Sequence, residues 1–181
     1  MIKMILAVGI NGEIGAENNL LWDLPKDLQI FKEKTEGDIV VLGKSTFYSL
    51  PSVNGLSNRE NWVLSSSMEK HHPCEDVIVF DNSNDILHNM NLLKEAGDCR
   101  DVWIIGGSTI YRQFESLVEE IHITKVFHKF PQADTFYLPN LTGFMKDGDI
   151  IDVSSSRYAA EHAVYVKPHS KCFHYTELER R

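Results

Sequence analysis

Asp38-Ile39-Val40-Val41-Leu42-Gly43-Lys44-Ser45-Thr46-Phe47-Tyr48 decides the fold. Its first half is an apolar run rich in branched residues and closed by glycine, which suits a buried strand. Its second half suits a short helix, stopped by Pro51 after Leu50. The same junction recurs at Asp101-Val102-Trp103-Ile104-Ile105 followed by Gly106-Gly107-Ser108-Thr109-Ile110-Tyr111. Both copies read apolar-Gly-x-Ser-Thr-apolar-Tyr, each at the end of a strand and the start of a helix.

Outward from these junctions, strand and helix patterns alternate. Ile2 to Gly9, residues 61–64, 76–80 and 121–126 read as strands. A helix starts at Pro25, a residue suited to the first helical position, and ends near Thr35-Glu36-Gly37. Ile86, Leu87, Met90, Leu93 and Ala96 mark an amphipathic helix ended by Gly97, and Ser108 to Leu117 a further one. The stretch Ile10 to Asn19, with two glycines and three asparagines, has no periodicity and reads as a long loop of the lid or binding type. Strand-like runs near 150–153, 159–166 and 172–178, with a turn at Lys167-Pro168-His169-Ser170, close the chain. The expectation is an α/β protein. It has one domain over residues 1–181, built on a doubly wound, mostly parallel sheet of about eight strands. About four helices flank it, and an antiparallel strand forms the C-terminal edge.

Composition bounds the function. A chain of 181 residues can bury one good core, and its hydrophobic and charged fractions are those of a soluble globular protein. No run of 18 apolar residues suggests a membrane span, and the apolar N-terminus looks like a first strand, not a signal peptide. Three scattered cysteines, Cys74, Cys99 and Cys172, suit reduced thiols in a cytoplasmic compartment. A net charge of −8 argues against nucleic-acid and membrane-surface roles, so an anionic ligand would need local cations.

The two glycine junctions carry chemistry. Glycine admits a ligand close to the backbone, while Ser/Thr caps, free N–H groups and the helix dipole attract phosphate. One such junction could be capping alone; two in one sheet suggest a ligand with two phosphoryl positions, such as a dinucleotide. Neither is a G-x-G-x-x-G fingerprint. Gly43-Lys44-Ser45 is not a P-loop either, because the glycine that motif needs at position 38 is Asp38. His71-His72-Pro73-Cys74 has no second cluster to complete a metal site, so no metal is expected. No G-x-S-x-G elbow or catalytic-cysteine context appears.

The most informative stretch lies between the lid loop and the first helix, Leu20-Leu21-Trp22-Asp23-Leu24-Pro25-Lys26-Asp27-Leu28-Gln29-Ile30-Phe31-Lys32. On a helical wheel Leu24, Leu28 and Phe31 share a face, and Asp27 falls at its edge. Asp27 is also the third helical residue, where an acid suits the positive helix end. A carboxylate among apolar side chains costs several kcal/mol unless something meets it, either a protein donor or a ligand.

Together these residues resemble the dihydrofolate reductase family over nearly the whole chain. The carriers are Ile5-Leu6-Ala7; Ile14-Gly15 with Asn18; Trp22-Asp23-Leu24-Pro25 with Asp27-Leu28 and Phe31-Lys32; Gly43-Lys44-Ser45-Thr46; Ser49-Leu50; Arg59 before Asn61; Leu64-Ser65-Ser66; Ile105-Gly106-Gly107 with Tyr111; Thr124; Asp134-Thr135-Phe136; and Leu178-Glu179-Arg180-Arg181.

The resemblance implies hydride transfer from NADPH to 7,8-dihydrofolate in a cytoplasmic, monomeric enzyme. It implies that Asp27 binds the pterin, with Thr124 as its companion, and that Trp22 holds a water near the protonated nitrogen. Ile5, Ala7, Leu28, Phe31, Leu50 and Ile105 would wall the substrate rings, and Tyr111 would sit beside them. Arg59 and Lys32 would meet the glutamate carboxylates. Ile14, Gly15, Asn18, Asn19 and Leu20 would form a lid over the nicotinamide, gripped with Ala7 and Ile105. Lys44, Ser45, Thr46, Leu64, Ser65 and Ser66 would hold the adenosine side after Gly43. Gly106, Gly107, Ser108, Thr109, Ile110 and Tyr111 would hold the pyrophosphate. A cis peptide is implied at Gly106-Gly107. Reductases of riboflavin biosynthesis share the architecture but lack this helix acid, and a non-catalytic nucleotide-binding protein would not need the acid, the lid and the arginine together.

Overall fold

The computed structural model describes residues 1–168. The expected strand at 172–178 and half of the expected turn at 167–170 lie outside the described residues.

The strands are β1 (Ile2–Val8), β2 (Glu13–Gly15), β3 (Ile39–Gly43), β4 (Glu60–Leu64), β5 (Val77–Phe80), β6 (Val102–Gly106), β7 (Glu120–Val126), β8 (Thr135–Phe136), β9 (Met145–Asp152) and β10 (Ala160–Val166). The helices are α1 (Pro25–Thr35), α2 (Lys44–Ser49), α3 (Ser83–Glu95) and α4 (Ser108–Phe114), the last extended by a 3-10 turn at Glu115–Leu117. Eight strands form one sheet in the order β5-β4-β3-β6-β1-β7-β10-β9. Pairing is parallel from β5 through β7. β10 runs antiparallel to both β7 and β9, so the antiparallel element sits at the C-terminal side of the sheet, next to the outermost strand.

Period-two alternation divides the core. Met4, Leu6 and Val8 of β1, Ile39 and Val41 of β3, and Ile104 of β6 face one layer, where they meet Ile86 and Met90 of α3 and Ile110 and Phe114 of α4. Ile5, Val40, Leu42 and Trp103 face the other layer, with Phe47 of α2 and Phe31 of α1. Both faces of the central strands are therefore covered, which is why those strands read as unbroken apolar runs.

Two local expectations are corrected. The lid loop is not structureless. β2 pairs with β8, and Ala16 and Asn19 exchange backbone hydrogen bonds of 3.1 and 2.8 Å around Glu17 and Asn18, both at positive φ. Two left-handed residues in a row make a tight hairpin turn, and asparagine is among the residues that tolerate it. The glycine junctions are also not capped by Ser or Thr. The N-cap of α2 is Gly43 and that of α4 is Gly107, with no side-chain cap in either. Ser45, Thr46, Ser108 and Thr109 line a cleft instead.

Candidate active site

β3, β6 and β1 are adjacent and parallel, so their C-terminal ends meet at one edge of the sheet. In an open α/β sheet a crevice outside such ends is where ligands bind. A cleft of about 780 Å³ lies there. Its lining includes Ala7 from the end of β1, Ile14, Gly15, Asn18, Asn19 and Leu20 from the lid, and Gly43, Lys44, Ser45 and Thr46 from the first junction. It continues through Leu64, Ser65 and Ser66 after β4, then Ile105, Gly107, Ser108, Thr109, Ile110 and Tyr111 from the second junction. The structure thus brings every residue expected around the cofactor into one cleft except Gly106, which does not line it. Ser49, Ser67, Asp81, Asn82, Ser83, Gln113 and Thr135 also line the cleft and were not anticipated. Their side chains carry no pattern of their own in sequence; only the fold places them there.

The floor of the cleft is made by absent side chains. A Cβ on Gly43 would lie 3.2 Å from Ile110 Cγ1, and one on Gly107 would meet Thr46 Oγ1 at 3.5 Å. The peptide between Gly106 and Gly107 is cis, as expected. Gly106 has φ +111°, and a Cβ there would meet the Tyr111 ring at 3.0 Å. The Tyr111 hydroxyl lies 3.0 Å from the Ile5 carbonyl and 2.9 Å from that of Ile105. Its single hydrogen is shared between the two strand ends, so Tyr111 ties β1 to β6 and has no proton left to donate to a ligand. This narrows the role expected of Tyr111 to positioning.

No residue of α1 lines this cleft, and neither do Ile5, Leu50, Arg59 or Thr124; α1 packs on the same sheet face as α2, through Phe31. Leu24 is buried at the start of the helix, but Leu28 is 49 % exposed. The apolar face does not sink into the core as a whole, and Thr35 is the one fully buried residue of α1. An exposed leucine beside partly buried Phe31 marks an apolar wall facing open space. Phe31, Leu50, Ile5 and Ile105 belong to one apolar cluster there. Asp27 is partly buried on the same helix, where Thr124 Oγ1 of β7 donates to its Oδ1 at 2.5 Å. Its second oxygen has no donor among the described residues. Burial pushes the Asp27 carboxyl above the ordinary carboxylate range, and the Thr124 hydrogen bond opposes that rise.

Trp22 is buried against Phe130, ring centroids 5.1 Å apart, and its indole N–H has no protein acceptor among the described residues. Lys32 is exposed. Arg59 is only 7 % exposed. Its Nε donates to Thr35 Oγ1 at 2.8 Å, Nη1 to the Ser57 carbonyl at 2.6 Å and Nη2 to the Lys32 carbonyl at 2.9 Å. Burial lowers the affinity of the Arg59 guanidinium for its proton, and Glu36 partly restores it. A guanidinium has five N–H donors, so one remains on each terminal nitrogen.

Sequence reasoning missed Glu13 and His162. Glu13, buried at the root of the lid, accepts from the Asn11 amide at 2.7 Å and the Phe130 amide at 3.3 Å. Burial alone would raise its carboxyl, yet these hydrogen bonds leave it below its usual range. His162 lies behind Thr124, 38 residues away along the chain. Neither stands in a local sequence pattern: Glu13 meets Phe130 from a distant segment, and only the register of β10 against β7 sets His162 beside Thr124.

The geometry agrees with known proteins. The family model for dihydrofolate reductase matches residues 1–147. Dihydrofolate reductase type 9 of Escherichia coli is 30 % identical over 125 residues, covering 69 % of this chain and 70 % of that protein. The dihydrofolate reductase of Bacillus subtilis (strain 168) is 31 % identical over 130 residues, with 72 % and 71 % covered. Among solved structures, dihydrofolate reductase from Enterococcus faecalis, complexed with NADP(H) and RAB-propyl, superposes with a TM-score of 0.74 at 27 % identity. That superposition covers 93 % of this chain and 96 % of the other. By its sequence, its fold and the cleft at the ends of β1, β3 and β6, the chain belongs to the dihydrofolate reductase family.

Proposed function

We propose that this chain reduces 7,8-dihydrofolate to 5,6,7,8-tetrahydrofolate, with Asp27 as the acid that binds and helps protonate the pterin. The observation that carries the assignment is the Asp27 carboxylate, set on a partly exposed apolar face with a single protein donor. NADPH supplies the hydride for the pterin carbon C6.

The residues in the cleft fit a dinucleotide phosphate. The side-chain-free floor at Gly43 and Gly107 leaves room for a ligand against the backbone, and Ser45, Thr46, Ser108 and Thr109 line the same cleft. Lys44, whose Nζ donates to Ser67 Oγ at 2.9 Å, and Ser65 and Ser66 stand where a ribose phosphate would be met. Asn18, Asn19 and Leu20 line the cleft and would cover the nicotinamide end when the cofactor is bound, excluding water there.

Asp27 accepts the pterin amino group and ring N–H on its two oxygens, with Thr124 fixing one of them. Protonation of N5 is controlled by Asp27, directly or through a water it orients, and the indole N–H of Trp22 holds that water. Burial raises the proton affinity of Asp27 above that of an ordinary carboxyl, and the Thr124 hydrogen bond opposes the rise. Leu28, Phe31 and Leu50 pack the rings, while the two spare donors of Arg59, assisted by Lys32, take the glutamate carboxylate. All these residues come from one chain, which supports action as a monomer. The free thiols of Cys74 and Cys99 support a reducing, cytoplasmic setting.

The test is direct. With dihydrofolate and NADPH, micromolar protein should consume the nicotinamide absorbance with multiple turnovers. No turnover under those conditions would remove the assignment.

A further inference from the structure

A row of polar side chains crosses the sheet face beneath α1. Glu120, His122 and Thr124 alternate along β7, and His162 of β10 lies directly opposite Thr124 in the antiparallel register. His122, Thr124 and His162 are all buried, at 2 %, 0 % and 1 % exposure. Ile5, Ala7, Val164 and Ile151 pair beside His122, Thr124 and His162 in register, so each of their polar atoms needs an account.

Thr124 Oγ1 lies 2.5 Å from Asp27 Oδ1 and 2.9 Å from His162 Nδ1. A hydroxyl has one hydrogen, and an ionised carboxylate can only accept. With Asp27 ionised, the Thr124 hydrogen goes to Asp27 and His162 must donate through Nδ1–H. The reverse chain is also conceivable: protonated Asp27 would donate to Thr124, Thr124 to His162 Nδ1, and the imidazole would carry its hydrogen on Nε2. But His162 Nε2 is buried without a hydrogen-bond partner. The reverse chain would strand an N–H donor there, whereas the forward chain leaves only an unused lone pair, and stranded N–H groups are the rarer and costlier case.

We propose that His162 is the positioning residue for the site acid: its Nδ1–H fixes the Thr124 hydroxyl hydrogen on Asp27 and so holds the carboxylate ionised and oriented. The ring serves this role in its neutral form. The groups facing it are Asp27, through Thr124, and Lys34 from α1, and His122 from β7, with Glu120 held behind by His122 Nε2 at 2.7 Å; β9 places Ile151 opposite. Burial, helped by His122 and Lys34, pushes the His162 imidazole down to about 4, so it stays uncharged at neutral pH. The inference rests on Asp27 being the site acid of a dihydrofolate reductase.

Two measurements on ligand-free protein test it. Nitrogen-15 NMR of histidine-labelled, otherwise unmodified protein, with His162 assigned by its proximity to the Thr124 methyl, reads the tautomer. A neutral ring protonated on Nδ1 at pH 7 is expected; an Nε2–H tautomer or an imidazolium overturns the proposal. Infrared titration of the Asp27 carboxyl band, assigned by its loss in Asp27→Asn, reads the consequence. His162→Leu removes the donor and should raise the Asp27 midpoint by about one pH unit. His162→Asn, whose amide N–H can take the place of Nδ1–H, should return it to within about a third of that shift. An unchanged midpoint in His162→Leu, or no rescue in a folded His162→Asn, overturns the proposal. Neither readout uses substrate or cofactor, so a protein with the expected tautomer but no turnover would fault the assigned reaction and leave the positioning intact.

Discussion

Arg59 gives the sharpest separation between a structural and a binding residue. In Arg59→Leu three internal hydrogen bonds disappear, those to Thr35 Oγ1, the Ser57 carbonyl and the Lys32 carbonyl. The carbonyl of Lys32, in the last turn of α1, also accepts from the Glu36 backbone N–H at 3.1 Å, so it keeps one partner in the variant. Hydrogen bonds from charged donors are worth about 1.5–3 kcal/mol each when buried, but the carbonyls can recruit water at this partly open end. A net stability loss of about 2 kcal/mol, or a melting point lower by roughly 4–8 °C, follows for a chain of this size. The two remaining donors define the binding loss. Two charge-assisted bonds to a carboxylate, discounted for the exposed surroundings of Lys32, come to about 3 kcal/mol, on the order of 100-fold in dihydrofolate affinity. Because the glutamate tail does not react, the loss should fall on KM, with kcat within about threefold of wild type. The assay compares full dihydrofolate with a substrate lacking the glutamate. Truncation should cost the wild type about 100-fold in kcat/KM and the variant almost nothing. Thr35→Ala, which loses one of the internal bonds, should lower the melting point and leave the truncation penalty in place. If truncation hurts Arg59→Leu as much as the wild type, Arg59 does not bind the tail.

Other outcomes follow from single contacts. Gly106→Ala puts a Cβ at φ +111° and 3.0 Å from the Tyr111 ring, and should cost about 1–3 kcal/mol in urea denaturation; a wild-type midpoint would contradict the crowding. Lys44→Ala should weaken NADPH roughly tenfold and NADH, which lacks the 2′-phosphate, within about twofold, by fluorescence titration; an equal loss for both would move the phosphate elsewhere. Stability should also depend on His162. Its affinity for a proton is lower folded than unfolded, mainly through burial, so its contribution is complete above the ordinary imidazole value of about 6.5 and is lost as pH falls to about 4. The lost share is roughly 3 kcal/mol. Urea curves for wild type and His162→Asn should therefore diverge at pH 7 relative to pH 4 by that order, and parallel pH dependences would contradict a buried neutral ring.

The alternation of strand and helix was legible because fully buried parallel strands leave unbroken apolar runs, as in β3 and β6. The cleft was legible because glycine junctions recur with the same spacing. What stayed hidden depends on pairing across the chain. β2 is three residues long, too short for any period, and exists only because β8 pairs with it. Ser45 and Ser108 look like caps from composition, yet glycine takes both N-cap positions and the two serines line the cleft. Leu28 shares an apolar face with Leu24 and Phe31 on a helical wheel, but no described element covers it, and its exposure is itself part of the site. His162 is one histidine among eight in sequence, and only the register of β10 against β7 sets it behind Thr124.

Asp27 carries the central claim, and the pH dependence of kcat/KM for wild type beside Asp27→Asn tests it most directly. Burial raises the Asp27 carboxyl, so its ionisation should shape the wild-type profile above the ordinary carboxylate range. The asparagine variant should lose that ionisation and fall by roughly 10²–10⁴ at neutral pH with dihydrofolate and NADPH. Superimposable profiles, or a variant within a few-fold of wild type, would show that Asp27 is a structural helix-end acid and that the pterin is protonated by another route.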